Sequence, residues 1–530
     1  MASLVSTDRR RLLQLAAVGA ATLYLPRGAY AQRRWPANPF MLGVASGSPT
    51  QNSVVLWTRL LAPGSFESLG EAAIPVRWEV AHDEQFARIA QRGETLALAE
   101  LAHSVHVEVP GLEPDRWYFY RFIAGDAASA VGRTRTFPAP DAAVQKLRLA
   151  YASCQRWEHG YYSAYRHMQS ENLDAVLFLG DYMYEYPNAA SAVRFFPAGG
   201  WVQTLAEYRE RYALHKGDAD LQAMHAACPW LVTWDDHEVQ NDYAGVNTGD
   251  GGPPLPNSVP DFAARRAAAY QAYYEHMPLR ASVLTRAMAG LAGGAELRIY
   301  SQHRFGRLAT LTLLDARQYK DKQVCSREGK ASSYLDPATC AAWDDPARTM
   351  LGSAQEQWLD GALSGAGTGW TVIGQQSVFG RRDARPGPGE SLWNDGWDGY
   401  GAARGRLTAS LQKNQVACPV LLGGDVHENW VGHIKADYRR PDSAALGVEF
   451  CGTSISSRAG GADKVAERLA ENPHFVFADA ARRGYGVVEF TPGQLTTSLR
   501  VVDDATRQST RIDTLARFVV QAGRPQLERV

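Results

Sequence analysis

Four apolar runs in this chain of 530 residues each end abruptly in polar, mostly ionisable side chains. Continuous apolar runs, rather than alternating ones, are typical of strands that are covered on both faces of a sheet. In open α/β sheets the loops after the carboxyl ends of parallel strands gather at one edge, where ligands bind. The pattern therefore predicts a fold that brings four polar segments together. The junctions are RLAYAS before Cys154, AVLFLG before Asp181, WLVTW before Asp235 and PVLLGG before Asp425.

The spacing of these runs predicts the fold class. Over residues 141–530 the apolar runs alternate with helix-length segments such as 162–171, 205–215 and 263–276, which predicts an α/β domain with one or two central, largely parallel sheets. Residues 32–140 instead contain short, alternating or aromatic-rich segments separated by turns. That pattern predicts an all-β sandwich of the immunoglobulin or fibronectin kind.

The first residues have the organisation of an export signal. Three arginines, Arg9 to Arg11, precede a short apolar run from Leu12 to Leu25, and Ala29-Tyr30-Ala31 fits a cleavage site. This predicts a signal peptide over residues 1–31, and the adjacent arginines indicate the twin-arginine export machinery. The alternative is an N-terminal membrane anchor, for which the apolar run is short. No other stretch predicts a transmembrane segment, so we expect a secreted or periplasmic protein.

Charge and cysteine content narrow the possible partners and suggest one crosslink. The 55 basic and 56 acidic residues give a formal net charge of -1, which does not indicate nucleic acid or a membrane surface as the main partner. Of the six cysteines, Cys325 and Cys340 flank a polar, turn-rich segment and could close it by a disulfide in an oxidising compartment. The other four lie in or beside apolar runs, where a buried thiol is the default interpretation.

Gathering many carboxylates at one edge is unfavourable unless cations are bound, because of repulsion and desolvation. Bound metal ions offset that cost. The available donors mix hard oxygen ligands with softer thiol and imidazole ligands, so more than one kind of metal fits. Two or more adjacent metal ions form a clamp for in-line attack on a phosphoryl group. The residues therefore indicate metal-assisted chemistry on a phosphoester.

Four motifs, taken in order, resemble those of one known family. SCQ, LGDYMYEY, WDDHEVQNDY and GGDVHEN, with the export signal and the small β-domain, resemble the PhoD-type alkaline phosphatases, a branch of the metallophosphoesterases. The resemblance covers nearly the whole chain. It implies an α/β/β/α sandwich for the catalytic domain and a site that holds Fe³⁺ together with Ca²⁺, rather than Zn²⁺ or Mn²⁺.

Carried over motif by motif, the resemblance also implies the metal ligands. Because thiolate and phenolate ligands both favour ferric iron, the ligands divide into an iron side and a calcium side, bridged by Asp181. The motif leaves open whether Asp235 or Asp236 touches the metal directly, with Asp235 preferred. The iron side consists of Cys154, Tyr184 and His427, and the calcium side of Asp235 and Asp425, joined by Asp236 and Asn241.

Three further residues are candidates for catalysis. The implied reaction is in-line attack on phosphorus by a hydroxide that the metal ions activate. His237 is the candidate phosphate contact or proton donor. Arg156 is the first candidate, and Arg317 the second, for a cation that stabilises charge on the equatorial oxygens. For each arginine the alternative is a salt bridge to the crowded carboxylates.

The expected activity is that of an alkaline phosphatase or phosphodiesterase, acting on phosphomonoesters or phosphodiesters. A phospholipase D-like phosphodiesterase of the same fold is the nearest alternative, and a secreted metal-binding module without catalysis is another. A serine hydrolase is disfavoured because the chain has no G-x-S-x-G motif, and Cys154 as a nucleophile would need its own histidine partner. Trp393 and Trp397 could line the substrate cleft or only pin a loop.

Overall fold

The computed structural model describes residues 33–530 except for short gaps. The predicted signal peptide lies outside the described residues. Within them, no helix is both long enough and apolar enough to cross a bilayer. The described ranges are 33–62, 69–188, 192–196, 200–287, 296–365, 367, 369–440 and 442–530.

Several helices begin where the sequence provides a cap. The Thr204 hydroxyl accepts a hydrogen bond from the backbone N–H of Glu207, and the Glu207 carboxylate accepts one from the backbone of Thr204. Asp218 and Asp261 cap two later helices with their carboxylates. Such caps satisfy N–H groups that the first helical turn leaves unpaired. The helices are α1 (Ser163–Met168), α2 (Leu205–Lys216), α3 (Ala219–Ala227), α4 (Phe262–His276), α5 (Ser282–Ala287), α6 (Ser353–Ser364), α7 (Gly401–Lys413) and α8 (Val465–Glu471).

The strands follow the apolar segments that the sequence predicts. Each of the four runs before a polar junction forms a strand of four to six residues. The strands are β1 (Val44–Gly47), β2 (Val54–Arg59), β3 (Ile74–Ala81), β4 (Ile89–Ala97), β5 (Ser104–Val109), β6 (Trp117–Ala124), β7 (Ala127–Ala128), β8 (Gly132–Arg135), β9 (Leu147–Ala152), β10 (Ala175–Leu179), β11 (Trp230–Thr233), β12 (Ser301–Phe305), β13 (Ala309–Leu313), β14 (Tyr334–Leu335), β15 (Trp370–Gly374), β16 (Leu392–Trp393), β17 (Val420–Gly423), β18 (Asn429–Lys435), β19 (Ala445–Cys451), β20 (Phe475–Asp479), β21 (Arg483–Phe490), β22 (Gln494–Val502), β23 (Ile512–Gln521) and β24 (Glu528–Arg529).

Two large sheets stack face to face. The first has ten strands in the order β24-β23-β22-β21-β9-β10-β11-β1-β2-β5, and the second has seven in the order β12-β13-β15-β17-β19-β18-β20. Strands β9, β10 and β11 run parallel, as do β13, β15, β17 and β19. Most of the outer strands are antiparallel. The central strands are therefore parallel, as predicted, within sheets that are mixed.

The layers confirm the predicted α/β/β/α sandwich. Helices α1 to α4 pack on the outer face of the first sheet, and α6 and α7 pack on the outer face of the second. The side chains between the two sheets are apolar and buried, so this interface is a continuous hydrophobic core. They include Leu149, Leu177 and Leu231 from the first sheet and Leu311, Val372 and Val420 from the second.

The N-terminal strands form an all-β sandwich that shares one layer with the rest of the molecule. A five-stranded sheet of β3, β4, β6, β7 and β8 packs on β1, β2 and β5 through a common buried core. However, β1 also pairs in parallel with β11, where Gly47 lies opposite Trp230. The first sheet therefore runs through both parts of the chain. Local sequence patterns do not predict this continuity, because the paired strands are far apart in the chain.

The cysteines behave as the sequence suggests. A disulfide joins Cys325 and Cys340, whose Cα atoms are 6.0 Å apart, and closes a mostly irregular segment. The remaining thiols are buried and free, namely Cys154, Cys228, Cys418 and Cys451.

A buried lysine lies where α2 meets the N-terminal strands. The Lys216 ammonium is 4.2 Å from the centroid of the Trp57 ring, and burial lowers the pKa of Lys216 from 10.5 to about 7. Between these two values the unfolded chain binds a proton that the folded protein does not, so stability rises with pH. From pH 7 to pH 9 this group adds about 2 kcal/mol to the free energy of unfolding.

Replacing Lys216 by Met is expected to raise the free energy of unfolding at pH 7 and to remove this rise toward pH 9, because Met fills similar space without a charge to desolvate. Urea denaturation of both proteins at the two pH values measures the difference. Lys413→Met is the matched control, since the Lys413 side chain is 69% exposed. If the free energy of unfolding had the same pH dependence in the wild type and in Lys216→Met, the lowered pKa of Lys216 would be contradicted.

Candidate metal centre

The loops after β9, β10, β11 and β17 meet at one edge of the stacked sheets, as the strand-end pattern predicts. There, donor atoms of Cys, His and Asp side chains lie within 4.8 Å of one another in three groups. Asp181 and Asp236 each belong to two of the groups, so the three form one continuous centre. We call them the cysteine cluster (Cys154, Asp181 and His427), the histidine cluster (Asp181, Asp236 and His237) and the acid cluster (Asp236, Asp242 and Asp395).

Left-handed backbone conformations concentrate at this centre. Cys154, Asp181, Asp425 and His427 have φ angles of 59°, 57°, 69° and 58°, a region that costs a non-glycine residue about 1–3 kcal/mol. Gly180, with φ of 104°, turns the chain just before Asp181, and a Cβ atom there would lie 2.4 Å from an atom of the loop after β11. The turn that places Asp181 in the centre therefore requires glycine.

Hydrogen bonds orient the donors of the cysteine cluster. The Tyr184 hydroxyl donates to Asp181 Oδ2 at 2.9 Å and lies 3.1 Å from His427 Nε2, so Tyr184 adjoins this cluster. His427 Nδ1 donates to the carbonyl of Arg458 at 2.8 Å, which leaves Nε2 on the side of the cluster. Burial lowers the pKa of His427 to about 3. The imidazole is thus neutral, which is the form that binds metal.

A buried glutamate, which the sequence analysis missed, holds His237. His237 Nδ1 lies 2.7 Å from Glu185 Oε2, and Glu185 Oε1 accepts a hydrogen bond of 2.7 Å from the backbone N–H of Asn241. Burial alone would lower the pKa of His237, but the charges of Asp236 and Glu185 raise it above its ordinary value. The available signal was the position of Glu185 within the LGDYMYEY motif, four residues after Asp181.

The acid cluster joins Asp236 to two carboxylates that the sequence analysis did not select. Asp242 donates its backbone N–H to Asp236 Oδ2 at 2.6 Å, and Asp395 comes from the segment after β16. Asn241 lies beside this cluster, where its side-chain amide donates to Asp242 Oδ2 at 2.9 Å. Asp242 lies well beyond the end of β11, and β16 before Asp395 has only two residues, so neither carboxylate ends a long apolar run of the kind that the strand-end pattern selects.

Arg317 is embedded among these carboxylates. Its guanidinium pairs with Asp235 and lies 2.6 Å from Asp395 and 3.6 Å from Asp236. Burial would raise the pKa of Asp236 and Asp395, but Arg317 lowers the pKa of both below the ordinary value. This is the salt-bridge arrangement that was the alternative interpretation for Arg317, and it neutralises part of the negative charge.

Arg156 lies beside the cysteine and histidine clusters. Its guanidinium carbon is 4.4 Å from the centroid of the Tyr184 ring and 4.0 Å from that of Tyr186. Its Nη2 donates to the Tyr186 carbonyl at 3.0 Å, while Nε lacks a hydrogen-bond partner among the described residues. The nearest carboxylate oxygen paired with it, from Glu158, is 3.9 Å away. Arg156 is therefore less committed to carboxylates than Arg317.

In the Asp235-Asp236-His237-Glu238 segment, some side chains make structural contacts and others belong to the donor clusters. Glu238 accepts backbone hydrogen bonds from Asp181 at 3.1 Å and from Asp235 at 2.8 Å, which ties the loops after β10 and β11 together. Asp235 directs Oδ1 toward Arg317 and belongs to none of the three clusters, whereas Asp236 belongs to two.

The centre is suited to cations. Asp181 Oδ1, Asp235 Oδ2 and Asp236 Oδ1 are buried and accept no hydrogen bond from any described residue. Burial and the charges of neighbouring aspartates raise the pKa of Asp181 and Asp425 well above the usual range, and burial with the charge of Asp181 does the same for Cys154. Buried acceptors without donors are unfavourable. Metal ions would satisfy these oxygens and offset the repulsion, so the residues present fit bound metals.

The two tryptophans considered for the substrate cleft have structural contacts instead. Trp397 is buried and donates from Nε1 to Gln375 Oε1 at 2.9 Å. The Trp393 ring packs 5.0 Å from Tyr334, where β16 pairs with β14. These contacts support loop anchoring rather than substrate binding.

A four-layer sandwich with overlapping clusters of candidate metal donors at its strand ends is the arrangement expected of a phosphoester hydrolase. The family model of the PhoD-like phosphatases matches residues 149–499, and that of the PhoD-like phosphatase N-terminal domain matches residues 27–138. The chain belongs to the PhoD-like phosphatase family.

Similar proteins agree with this assignment. Alkaline phosphatase D of Bacillus subtilis (strain 168) is 43% identical over an alignment 541 positions long, which covers 99% of this chain and 89% of the relative. The solved structure of PhoD superposes with a TM-score of 0.86 at 42% identity, covering 94% of this chain and 93% of that chain. The predicted family and the predicted α/β fold with an N-terminal β-domain are thereby confirmed, whereas the immunoglobulin or fibronectin kind of that domain stays a prediction. The protein is a phosphoric ester hydrolase.

Proposed function

We propose that the protein is an extracytoplasmic alkaline phosphatase or phosphodiesterase that holds Fe³⁺ and Ca²⁺ in the centre described above. The observation that carries this proposal is the set of overlapping donor clusters, in which the buried oxygens Asp181 Oδ1 and Asp236 Oδ1 find no donor within the described part of the chain. Adjacent cations at such a set are suited to transfer of a phosphoryl group to water. Phosphomonoesters and phosphodiesters are the proposed substrates.

The two ends of the centre suit different metals. Thiolate and imidazole ligands, with a phenolate, suit iron on one side. Carboxylate and amide oxygens suit calcium on the other. Asp181 is the proposed bridge, and Asp236 is preferred over Asp235 as the direct calcium ligand because Asp235 pairs with Arg317. The proposed iron ligands are Cys154, Tyr184 and His427, and the proposed calcium side is Asp236, Asp242 and Asp395, joined by Asp235, Asp425 and Asn241.

The protein contributes orientation and proton handling. When bound, the metal ions activate water and neutralise charge on the phosphoryl group. His237, held at Nδ1 by Glu185, is proposed to protonate the leaving oxygen or to contact the phosphoryl oxygens. Arg156, whose Nε is unpaired among the described residues, is proposed to bind those oxygens. Arg317 is proposed to position the carboxylates with which it pairs.

The alternatives differ in how well the structure supports them. A cysteine hydrolase is disfavoured because Cys154 Sγ donates to Ser153 Oγ at 3.2 Å instead of pairing with a base, and burial raises the pKa of its thiol. A phospholipase D-like phosphodiesterase would use the same centre, so only substrate preference distinguishes it from the proposed alkaline phosphatase or phosphodiesterase. A non-catalytic module is disfavoured by membership of a phosphatase family.

The proposed location is secreted or periplasmic, reached through the twin-arginine machinery. Residues 1–31 are the proposed signal peptide, followed by an N-terminal β-sandwich domain over 32–140 and a catalytic domain over 141–530. The Cys325–Cys340 disulfide supports an oxidising compartment, because such crosslinks are rare in the cytosol.

Substrate assays and metal content together test the proposal. We expect natively purified protein to contain iron and calcium, to hydrolyse p-nitrophenyl phosphate or its bis-ester, and to lose activity on chelation until calcium is restored. A His237→Gln preparation purified in parallel controls for contaminating phosphatases. Choline release from phosphatidylcholine at a higher rate than hydrolysis of either nitrophenyl ester would favour the phospholipase D-like alternative. A metal-replete protein inactive on all three substrates would contradict the enzyme assignment, and zinc alone would contradict the metals.

A further inference from the structure

A disulfide-closed loop lies against the acid cluster. The loop spans residues 325–340 and is closed by the bond between Cys325 and Cys340. It contains only one short stretch of strand, β14, and is otherwise turns and irregular backbone. Its position next to the metal centre is not explained by the proposed catalytic roles.

One contact from this loop reaches the acid cluster directly. The Ser332 hydroxyl donates a hydrogen bond to Asp242 Oδ2. The neighbouring backbone N–H of Ala331 donates to Asp250 Oδ1 at 2.8 Å, and Asp250 donates its own N–H to the Asn241 carbonyl at 2.8 Å. The loop therefore holds Asp242 through its side chain and, through Asp250, the backbone just before it.

A second set of contacts reaches Asp395 through its neighbour. Ser333 donates its N–H to Asn394 Oδ1 at 2.8 Å, and Asn394 returns a backbone bond of 3.1 Å to Ser333. The Asn394 amide also donates to the carbonyl of Val324 and to Ser326 Oγ, at 2.8 Å each. Pairing of β14 with β16 continues this contact. The buried Asn394 precedes Asp395, so the loop also fixes the segment that carries the second carboxylate.

Covalent closure restricts the loop that makes these contacts. An irregular loop gains conformational freedom when its ends are released, and a crosslink removes that freedom. The loop bonds the Asp242 carboxylate directly and also bonds the residue before Asp395, whose own carboxylate pairs with Lys320 and Gln323 outside the loop. Among the described residues, no hydrogen bond joins the loop to the cysteine cluster. Opening the loop would therefore affect one end of the metal centre.

We propose that the disulfide loop, through Ser332 and Asn394, is a positioning element that sets the affinity of the acid cluster for a divalent cation. This inference rests on the proposed function, which assigns calcium to that cluster. Outer partners that orient metal-binding side chains typically change metal affinity about 10–100-fold when removed.

The test opens the loop by mutation, because a thiol reductant would also reduce or compete for the iron proposed at the cysteine cluster. In the whole protein, Cys325→Ala/Cys340→Ala and Ser332→Ala are each expected to weaken calcium binding about tenfold or more, measured by titration calorimetry after chelation. Iron content and kcat at saturating calcium should stay near the wild-type values. Ser364→Ala is the matched control, since the hydroxyl of this exposed serine donates to the Gly361 carbonyl within its own helix.

Three outcomes decide between the explanations. Wild-type protein that binds no calcium would overturn the metal assignment of the proposed function and this inference with it. Calcium affinity equal to wild type in both variants would overturn this inference alone. If the double variant also loses iron or unfolds, Ser332→Ala decides, because it keeps the loop closed: unchanged calcium affinity in that variant overturns the inference, and weakened affinity supports it.

Discussion

Replacing Asp181 by Asn is expected to reduce phosphoester hydrolysis about a thousandfold, because the metal contact proposed for Asp181, worth several kcal/mol in the transition state, is lost. Asp181 is shared by the cysteine and histidine clusters, and its Oδ1 accepts no hydrogen bond from the described residues. Asn keeps the size of the side chain but removes its charge. Steady-state kinetics with p-nitrophenyl phosphate at saturating calcium, with iron content measured on the same sample, gives the effect.

The same substitution is expected to stabilise the metal-free protein. Burial and the charges of Asp236 and Asp235 raise the pKa of Asp181 well above the usual range. Since the pKa of Asp181 is higher in the folded protein than in the unfolded chain, the Asp181 carboxylate destabilises the metal-free wild type at neutral pH. This destabilisation disappears as the pH falls below the usual carboxyl range. Asp442→Asn is the control, because the Asp442 side chain is 80% exposed. Full activity in Asp181→Asn would contradict the role of Asp181 as a metal ligand. A Tm lower than that of the wild type, with both proteins chelated, would contradict the raised pKa of Asp181.

Replacing His237 by Gln is expected to lower kcat about a hundredfold to ten-thousandfold, the range typical of a lost general acid. Glu185 holds His237 Nδ1 at 2.7 Å, so one nitrogen is anchored and Nε2 is the nitrogen proposed to face the substrate. If His237 protonates the leaving oxygen, the loss will be larger for phenyl phosphate than for p-nitrophenyl phosphate, whose leaving group needs less help. An equal loss with both esters indicates a phosphate contact instead.

Glu185→Gln should give a smaller loss of kcat in the same direction, because it weakens the anchor of His237 but keeps the imidazole. Metal content distinguishes proton donation by His237, and its anchoring by Glu185, from direct binding of metal by either residue. We expect the metal content to be unchanged in both variants. His167→Gln is the matched control. His167 lies on α1, and its Nε2 bonds to the Thr510 carbonyl at 3.0 Å. Loss of metal in step with activity would show that His237 is a ligand rather than a proton donor.

Much of the framework of the site was predictable from local patterns. The apolar runs before Cys154, Asp181, Asp235 and Asp425 are all strands, and their polar ends do gather at one edge. Strand burial is encoded in consecutive apolar residues, and the geometry of parallel strands places their carboxyl ends together. These two facts do not depend on the details of packing.

The division of work within each motif was not predictable in this way. In the segment 235–238 the acids are adjacent in sequence, yet Glu238 binds backbone N–H groups, Asp235 pairs with Arg317 and Asp236 joins two metal-donor clusters. The direction of each side chain depends on the loops of other strands. Glu185 was visible within a quoted motif, but its contact with His237 exists only after the loops after β10 and β11 meet.

By itself, the sequence determined where buried strands end and which chemical groups stand there, and it predicted metal-assisted phosphoester chemistry from that set of donors. Only the tertiary structure decided that Asp242 and Asp395 complete the acid cluster, that Arg317 neutralises carboxylates, and that β1 extends the first sheet. The physical reason is the range of the interactions. Burial and strand direction are written in neighbouring residues, whereas charge pairing and ligand sets depend on side chains that only folding brings together.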